Sequence, residues 1–177
     1  MSNLNFWEGS VSSGDTPGHF PYIAHNGTNS TQTYDGYLVY PAGQLGLHPG
    51  PDGEYSHIRF TAPQAMTINI SGSFFKIDPN ATTDVHILDN AVSIFGAEIG
   101  PASSDAFSLT RSVITGETID FAVGDGTDGT FNSDSTGLSA DLQVQGVPEP
   151  RNFVLFGSGI ALLLLFARRC KAVCNLV

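Results

Sequence analysis

The chain is predicted to be all-β, an antiparallel sandwich or barrel followed by one hydrophobic C-terminal helix. Three observations carry that prediction. Apolar residues recur with period two in nearly every segment from Gly36 to Val144. Turn-forming residues separate those segments: Pro79-Asn80, Asp89-Asn90, Gly100-Pro101 and Thr115-Gly116. No segment before residue 147 sustains a helical period. Successive strand side chains point to opposite faces, so period two means a strand with one buried face.

Residues 1–35 form a loop-rich N-terminal part, with Ser-Gly-Asp-Thr-Pro-Gly and His-Asn-Gly-Thr-Asn-Ser as turn signals. The short apolar pieces Phe6-Trp7 and Phe20 to Ile23 are expected as edge strands or as packing over one end of the core. Trp7, the only tryptophan, is expected in the core rather than as a sugar platform. Residues 36–146 form the sandwich. Tyr37 to Tyr40 is a short strand ended by Pro41. From Tyr55 to Thr61, Ile58 and Phe60 share one face, and His57 and Arg59 the other. Met66, Ile68 and Ile70 alternate against Thr67, Asn69 and Ser71. The pairs Val85/Ile87, Val92/Ile94 and Phe107/Leu109 mark three further strands. Ile119, Phe121 and Val123 then mark another, and Leu138 to Val144 the last.

The full chain has 177 residues and a net charge of -10. Four of its seven basic residues, Arg151, Arg168, Arg169 and Lys171, lie in the last thirty, so the body is strongly acidic. That excludes a phosphate-neutralising surface, and nucleic acid is not an expected partner. Both cysteines, Cys170 and Cys174, are in the tail, so no disulfide staples the body and its core must hold it.

The tail, residues 147–177, has three parts in fixed order. Val147, Pro148, Glu149 and Pro150 cannot be helix interior. Residues 153–167 are an uncharged, Leu-rich run, expected as a short transmembrane helix. Arg168, Arg169 and Lys171 follow as a membrane stop signal. This order resembles the PEP-CTERM sorting signal. Arg151, where that family usually has a small or hydroxylated residue, and the extension from Ala172 to Val177 depart from its pattern.

The resemblance implies processing by an exosortase-type membrane enzyme at Pro148-Glu149-Pro150. It also implies transient anchoring in the inner membrane and delivery to the cell envelope or exterior. An exported protein needs a leader, and Met1 to Trp7 shows neither a basic nor an apolar region, so Met1 is expected to be internal to a longer precursor or the precursor to have been trimmed. The body, through Leu47-His48-Pro49-Gly50-Pro51, Arg59-Phe60, Ile70-Ser71-Gly72-Ser73-Phe74 and Ile119-Asp120-Phe121, resembles the domain seen in many PEP-CTERM proteins. That resemblance implies a jelly-roll-like β-sandwich.

Candidate chemistry is sparse. Gly124-Asp125-Gly126-Thr127-Asp128-Gly129 matches G-x-G-x-x-G in letters, but no helix follows and two aspartates would repel a pyrophosphate. Asp125, Asp128, Asn132 and Asp134 offer hard oxygens on a Gly-rich loop and are the candidate calcium ligands. The competing reading is a solvated turn, and no cofactor is certain. The five histidines show no zinc spacing, and His48, before Pro49, is expected in a structural loop. Asn26, Asn29, Asn69 and Asn80 are formal glycosylation sequons. Tyr34, Tyr37, Tyr40 and Tyr55 cluster in sequence and are the candidate glycan ligands, against a reading as strand-edge residues. The expected function is a non-catalytic envelope or extracellular-matrix component. A carbohydrate (exopolysaccharide) binding module is the first alternative and a secreted hydrolase the second.

Overall fold

The computed structural model describes residues 3–12, 19–100 and 104–146. The sorting motif, the apolar run and the basic cluster of the tail lie outside them. Twelve strands, all paired antiparallel, make up the described part, and no helix occurs among the described residues. They are β1 (Asn5–Ser12), β2 (His19–His25), β3 (Gln32–Tyr34), β4 (Leu38–Tyr40), β5 (Leu45–His48) and β6 (Ser56–Thr61). Next come β7 (Met66–Lys76), β8 (Thr83–Asp89), β9 (Val92–Ile99), β10 (Ser104–Val113), β11 (Thr118–Val123) and β12 (Thr136–Val144).

One sheet runs β1-β2-β5-β12-β7-β10, a second runs β6-β11-β8-β9, and β3 and β4 form a separate hairpin. From β5 onward the chain passes repeatedly between the two large sheets. Their facing sides close over one core. Leu47, Ile68, Ile70, Phe74, Phe107 and Leu138 meet Val85, Ile87, Ile119, Phe121 and Val123 there. Phe74, Phe107 and Phe121 pack with ring centroids 5.6 and 5.8 Å apart in sequence. Gly72 interrupts the alternation of β7, and a Cβ there would lie 1.9 Å from the Ser139 carbonyl oxygen of β12. Only glycine lets those two backbones come so close.

A second apolar cluster sits on the other face of the six-stranded sheet. Phe20, Tyr22 and Ala24 alternate with Pro21 and Ile23 along β2, and Ile23 packs into the first core. Phe20, Tyr22 and Ala24 therefore face outward, where Leu38 and Tyr40 of the β3–β4 hairpin cover them. Register agrees: Tyr22 pairs with His48 and Ile23 with Leu47, which puts His48 outward and Leu47 inward.

Asn26 anchors that hairpin. It is fully buried, and its amide donates to the carbonyls of Ser30, Tyr40 and Pro41 at 2.8, 2.7 and 2.9 Å. Its Oδ1 accepts from the Thr28 N–H and hydroxyl at 3.0 and 2.7 Å. So this formal sequon is an internal strut, with no amide left for a glycan. Trp7 departs from expectation too. Its side chain is 58% exposed: its register partner Ile23 shares the inner-core phase, but β1 is the edge strand of the six-stranded sheet, and its neighbour Phe6 takes the outer phase.

Candidate functional site

The outward cluster does not close completely. It leaves a cavity of about 280 Å³. The floor comes from β2 and β5: Phe20, Tyr22 and His48, all nearly buried. One wall is the hairpin, with Tyr34, Asp35, Tyr37 and Leu38. Asp35 and Gly36 both have positive φ (50° and 79°), and Tyr37 N–H donates to the Tyr34 carbonyl at 3.3 Å. An Asp-Gly pair tolerates that turn, and the turn places Tyr34 and Tyr37 on either side of it. The opposite wall is the β11–β12 loop, with Phe131 to Ser133 and Ser135, and the β7–β8 loop adds Asp78. Glu8 of β1 completes the rim.

The floor is held rigidly. Tyr22 stacks on His48 at 4.8 Å with rings 25° apart, and Phe20 and Phe131 meet edge-on at 5.1 Å. The Tyr22 hydroxyl bonds that of Ser135 at 3.1 Å. His48 Nδ1 donates to the Pro49 carbonyl at 2.8 Å, which leaves Nε2 as the ring's acceptor. Burial lowers the His48 pKa to about 4, so the ring is neutral at ordinary pH. Burial pushes Tyr22 well above the usual phenol range, and desolvation followed by the Asp78 charge raises Tyr37. The phenols are therefore neutral donors. No lysine or arginine lines the cavity among the described residues, whereas Glu8, Asp35 and Asp78 do. Asp78 is 1% exposed, and its Oδ1 accepts the Asn80 N–H at 2.8 Å.

The four predicted glycan tyrosines do not come together. Tyr34 and Tyr37 line the cavity. Tyr40 is completely buried where the hairpin covers β2, outside the cavity lining, facing Tyr22 and Ser135 without a well-formed hydrogen bond for its hydroxyl, and burial raises it to about 12. Tyr55 lies at the other sheet and donates to Asp84. There, His86 bridges Asp84 at 3.1 Å and Ser93 at 3.2 Å. The Ser93 hydroxyl donates to the Phe95 carbonyl at 3.0 Å, so its hydrogen points away from the imidazole. Asp84, His86 and Ser93 thus form a hydrogen-bonded network at the surface of the four-stranded sheet.

Nor do the four calcium candidates form a ligand set. Asp128 accepts from the Thr82 hydroxyl at 2.7 Å and the Thr130 N–H at 3.1 Å. Asp134 Oδ1 accepts from Thr82 N–H at 3.1 Å, whereas Asn132 turns to the cavity. Among the described residues, no group of three or more His, Cys, Asp or Glu is placed to hold a metal ion. The loop carboxylates instead tie the β11–β12 loop to the β7–β8 loop. Asp134 is fully buried, its Oδ2 has no partner, and desolvation raises it to about 7.

Sequence reading missed most of the floor. His48 ends a strand too short to show period two, and Phe20, Tyr22 and Asp78 carry no motif. The one available signal was the apolar piece Phe20 to Ile23, expected as an edge strand or as packing over one end of the core; it is β2, which lies between β1 and β5.

No protein-family model matches the chain. No curated protein matches it either. Several solved structures resemble it. One is the CBM51 of Clostridium perfringens GH95 in complex with methyl-galactose, 12% identical, TM-score 0.45, covering 80% of this chain and 92% of that one. Another is the CBM51-2 and INT part of Clostridium perfringens ZmpB in complex with GlcNAc, 14% identical, TM-score 0.47, covering 84% of this chain and 30% of that one. A third is a carbohydrate-binding module, CBM36, in complex with calcium and xylotriose, 15% identical, TM-score 0.37, covering 68% of this chain and 98% of that one. At TM-scores below 0.5, none of these likenesses assigns a ligand or a metal to this chain.

Proposed function

We propose that the chain is a jelly-roll-like carbohydrate-binding domain that holds a saccharide in the cavity between the β3–β4 hairpin and the β11–β12 loop. The observation that carries this reading is the cavity lining. The rings of Tyr34, Tyr37 and Phe131 share the lining with the polar residues Asp35, Asp78, Asn132 and Ser135. A sugar ring has apolar C–H faces and a rim of hydroxyls, so it calls for that mixture. The strand order β5-β12-β7-β10 against β6-β11-β8-β9 is that of a two-Greek-key roll, which supports the jelly-roll reading.

The tail supplies the second half of the proposal. Val147, Pro148, Glu149 and Pro150 would be the exosortase substrate, with 153–167 and Arg168, Arg169 and Lys171 anchoring the precursor in the inner membrane. The body would then act in the envelope or the extracellular matrix, bound to exopolysaccharide. The test is affinity electrophoresis of the full chain through polysaccharide-loaded gels. Tyr34→Ala with Tyr37→Ala is expected to abolish retardation, and Tyr55→Ala to leave it unchanged. Equal retardation of all three would exclude the cavity as the site.

A further inference from the structure

We infer that the cavity selects saccharides bearing a free amine over neutral sugars and rejects uronic acids. This rests on the saccharide reading above. The lining holds three carboxylates, from Glu8, Asp35 and Asp78, and neither lysine nor arginine among the described residues. A uronate would bring a fourth negative charge to this space, with no positive side chain lining it to receive that charge. His48 does not fill that role, because its ring is neutral and its Nδ1–H is engaged by the Pro49 carbonyl.

Asp78 is the decisive group. It is 1% exposed yet lines the cavity, so its charge acts through little water. Coulomb attraction grows several-fold as the effective dielectric falls from bulk water to such a site. An ammonium on a sugar ring would be drawn toward Asp78, and the rings of Tyr34, Tyr37 and Phe131 that line the same space offer cation–π attraction. The volume, about 280 Å³, is near the small end for ligand pockets and suits one or two sugar units rather than a long chain lying flat.

The experiment is isothermal titration calorimetry of the full chain at low ionic strength. The probes are oligomers of glucosamine, N-acetylglucosamine, glucose and glucuronic acid, with putrescine as an amine that is not a sugar. Glucosamine oligomers are expected to bind at least tenfold tighter than the N-acetylated and neutral ones. Rising salt should shrink that gap, and glucuronate oligomers should give no heat. Asp78→Asn keeps an oxygen for the Asn80 N–H and should reduce the preference to about twofold. Asp35→Asn suits the positive φ of its turn and serves as a second variant that keeps the fold, with a smaller loss of preference. Neutral or acidic oligomers binding as tightly as glucosamine would overturn the amine inference and leave the saccharide reading standing. Putrescine binding as tightly as glucosamine oligomers, or no sugar binding at all, would overturn both.

Discussion

The two apolar clusters of this molecule share strands but differ in kind. Between the sheets, the core is aliphatic and phenylalanine-rich and lies within the sandwich formed by β5–β12. On the outer face, the second cluster contains Tyr22, Tyr40 and Tyr34, packs against His48, and is roofed by a three-residue-strand hairpin. The first contributes stability and the second leaves a space. β2 shows the contrast within one strand, where Ile23 completes the inner core while Phe20 and Tyr22 floor the cavity. A sandwich dedicated to stability alone would have covered that outer face with aliphatic side chains. Here the covering is polar-tipped and incomplete.

Substitutions should separate the two. Phe74→Ala in the inner core should cost about 4 kcal/mol, read by urea denaturation, because it empties the space of a ring that is 0% exposed and packed against Phe107 and Phe121. Asn26→Ala should cost about 3 kcal/mol, since it removes the amide donor from the Ser30, Tyr40 and Pro41 carbonyls, of which Pro41 keeps the Gln44 N–H, and it should also loosen the cavity wall. Binding should therefore weaken with Asn26→Ala by more than its stability loss explains, whereas Phe74→Ala should leave binding intact while the fold persists.

The pH dependence separates the regions further. His48, lowered to about 4, contributes stability fully above its unfolded value of 6.5, and that contribution is lost as pH falls toward 4. Asp134, raised to about 7 from 3.8, acts oppositely: its stabilising contribution is complete below 3.8 and is lost as pH rises through 7. The two trends offset one another between pH 4 and 6.5. Asp134→Asn removes one of them. The variant's stability relative to the parent should rise by on the order of 2 kcal/mol from pH 4 to pH 8 in thermal melts. A flat difference would mean that Asp134 is not held protonated by burial.

The smallest effect is expected at Tyr40. Its hydroxyl is buried without a well-formed hydrogen bond, so Tyr40→Phe should change stability by less than about 0.5 kcal/mol. A loss above 1 kcal/mol would place a stronger bond to Tyr22 or Ser135 there.

Much of the sandwich was legible in the sequence because each of its strands buries one face. Ile58 and Phe60, Ile68 and Ile70, and Val85 and Ile87 fall on the expected side. β11 reads less cleanly. Asp120 and Ala122 on its outer phase are buried as well, since Arg59 lies over Asp120 with bonds of 2.6 and 2.8 Å. β5 was invisible, as four residues with a glycine carry no period, and its pairing to β2 and β12 is set by contacts distant in sequence. The site was half legible for the same reason. Tyr34 and Tyr37 adjoin one turn, but Tyr40 is buried where the hairpin covers β2, outside the cavity lining, and Tyr55 is carried to the other sheet. Acidic residues in a Gly-rich loop look like metal ligands in sequence. In space, Asp128 and Asp134 are engaged by Thr82.

The central claim is that the outward cavity, and not the sheet surface around Tyr55 and His86, is where this protein meets a saccharide. Amide chemical-shift mapping during titration with glucosamine oligomers tests it most directly. Shifts confined to Tyr34 to Leu38, His48, Asp78 and Phe131 to Ser135 are the predicted result. Shifts centred on Tyr55, His57, Asp84 and His86, with the cavity residues silent, would contradict it.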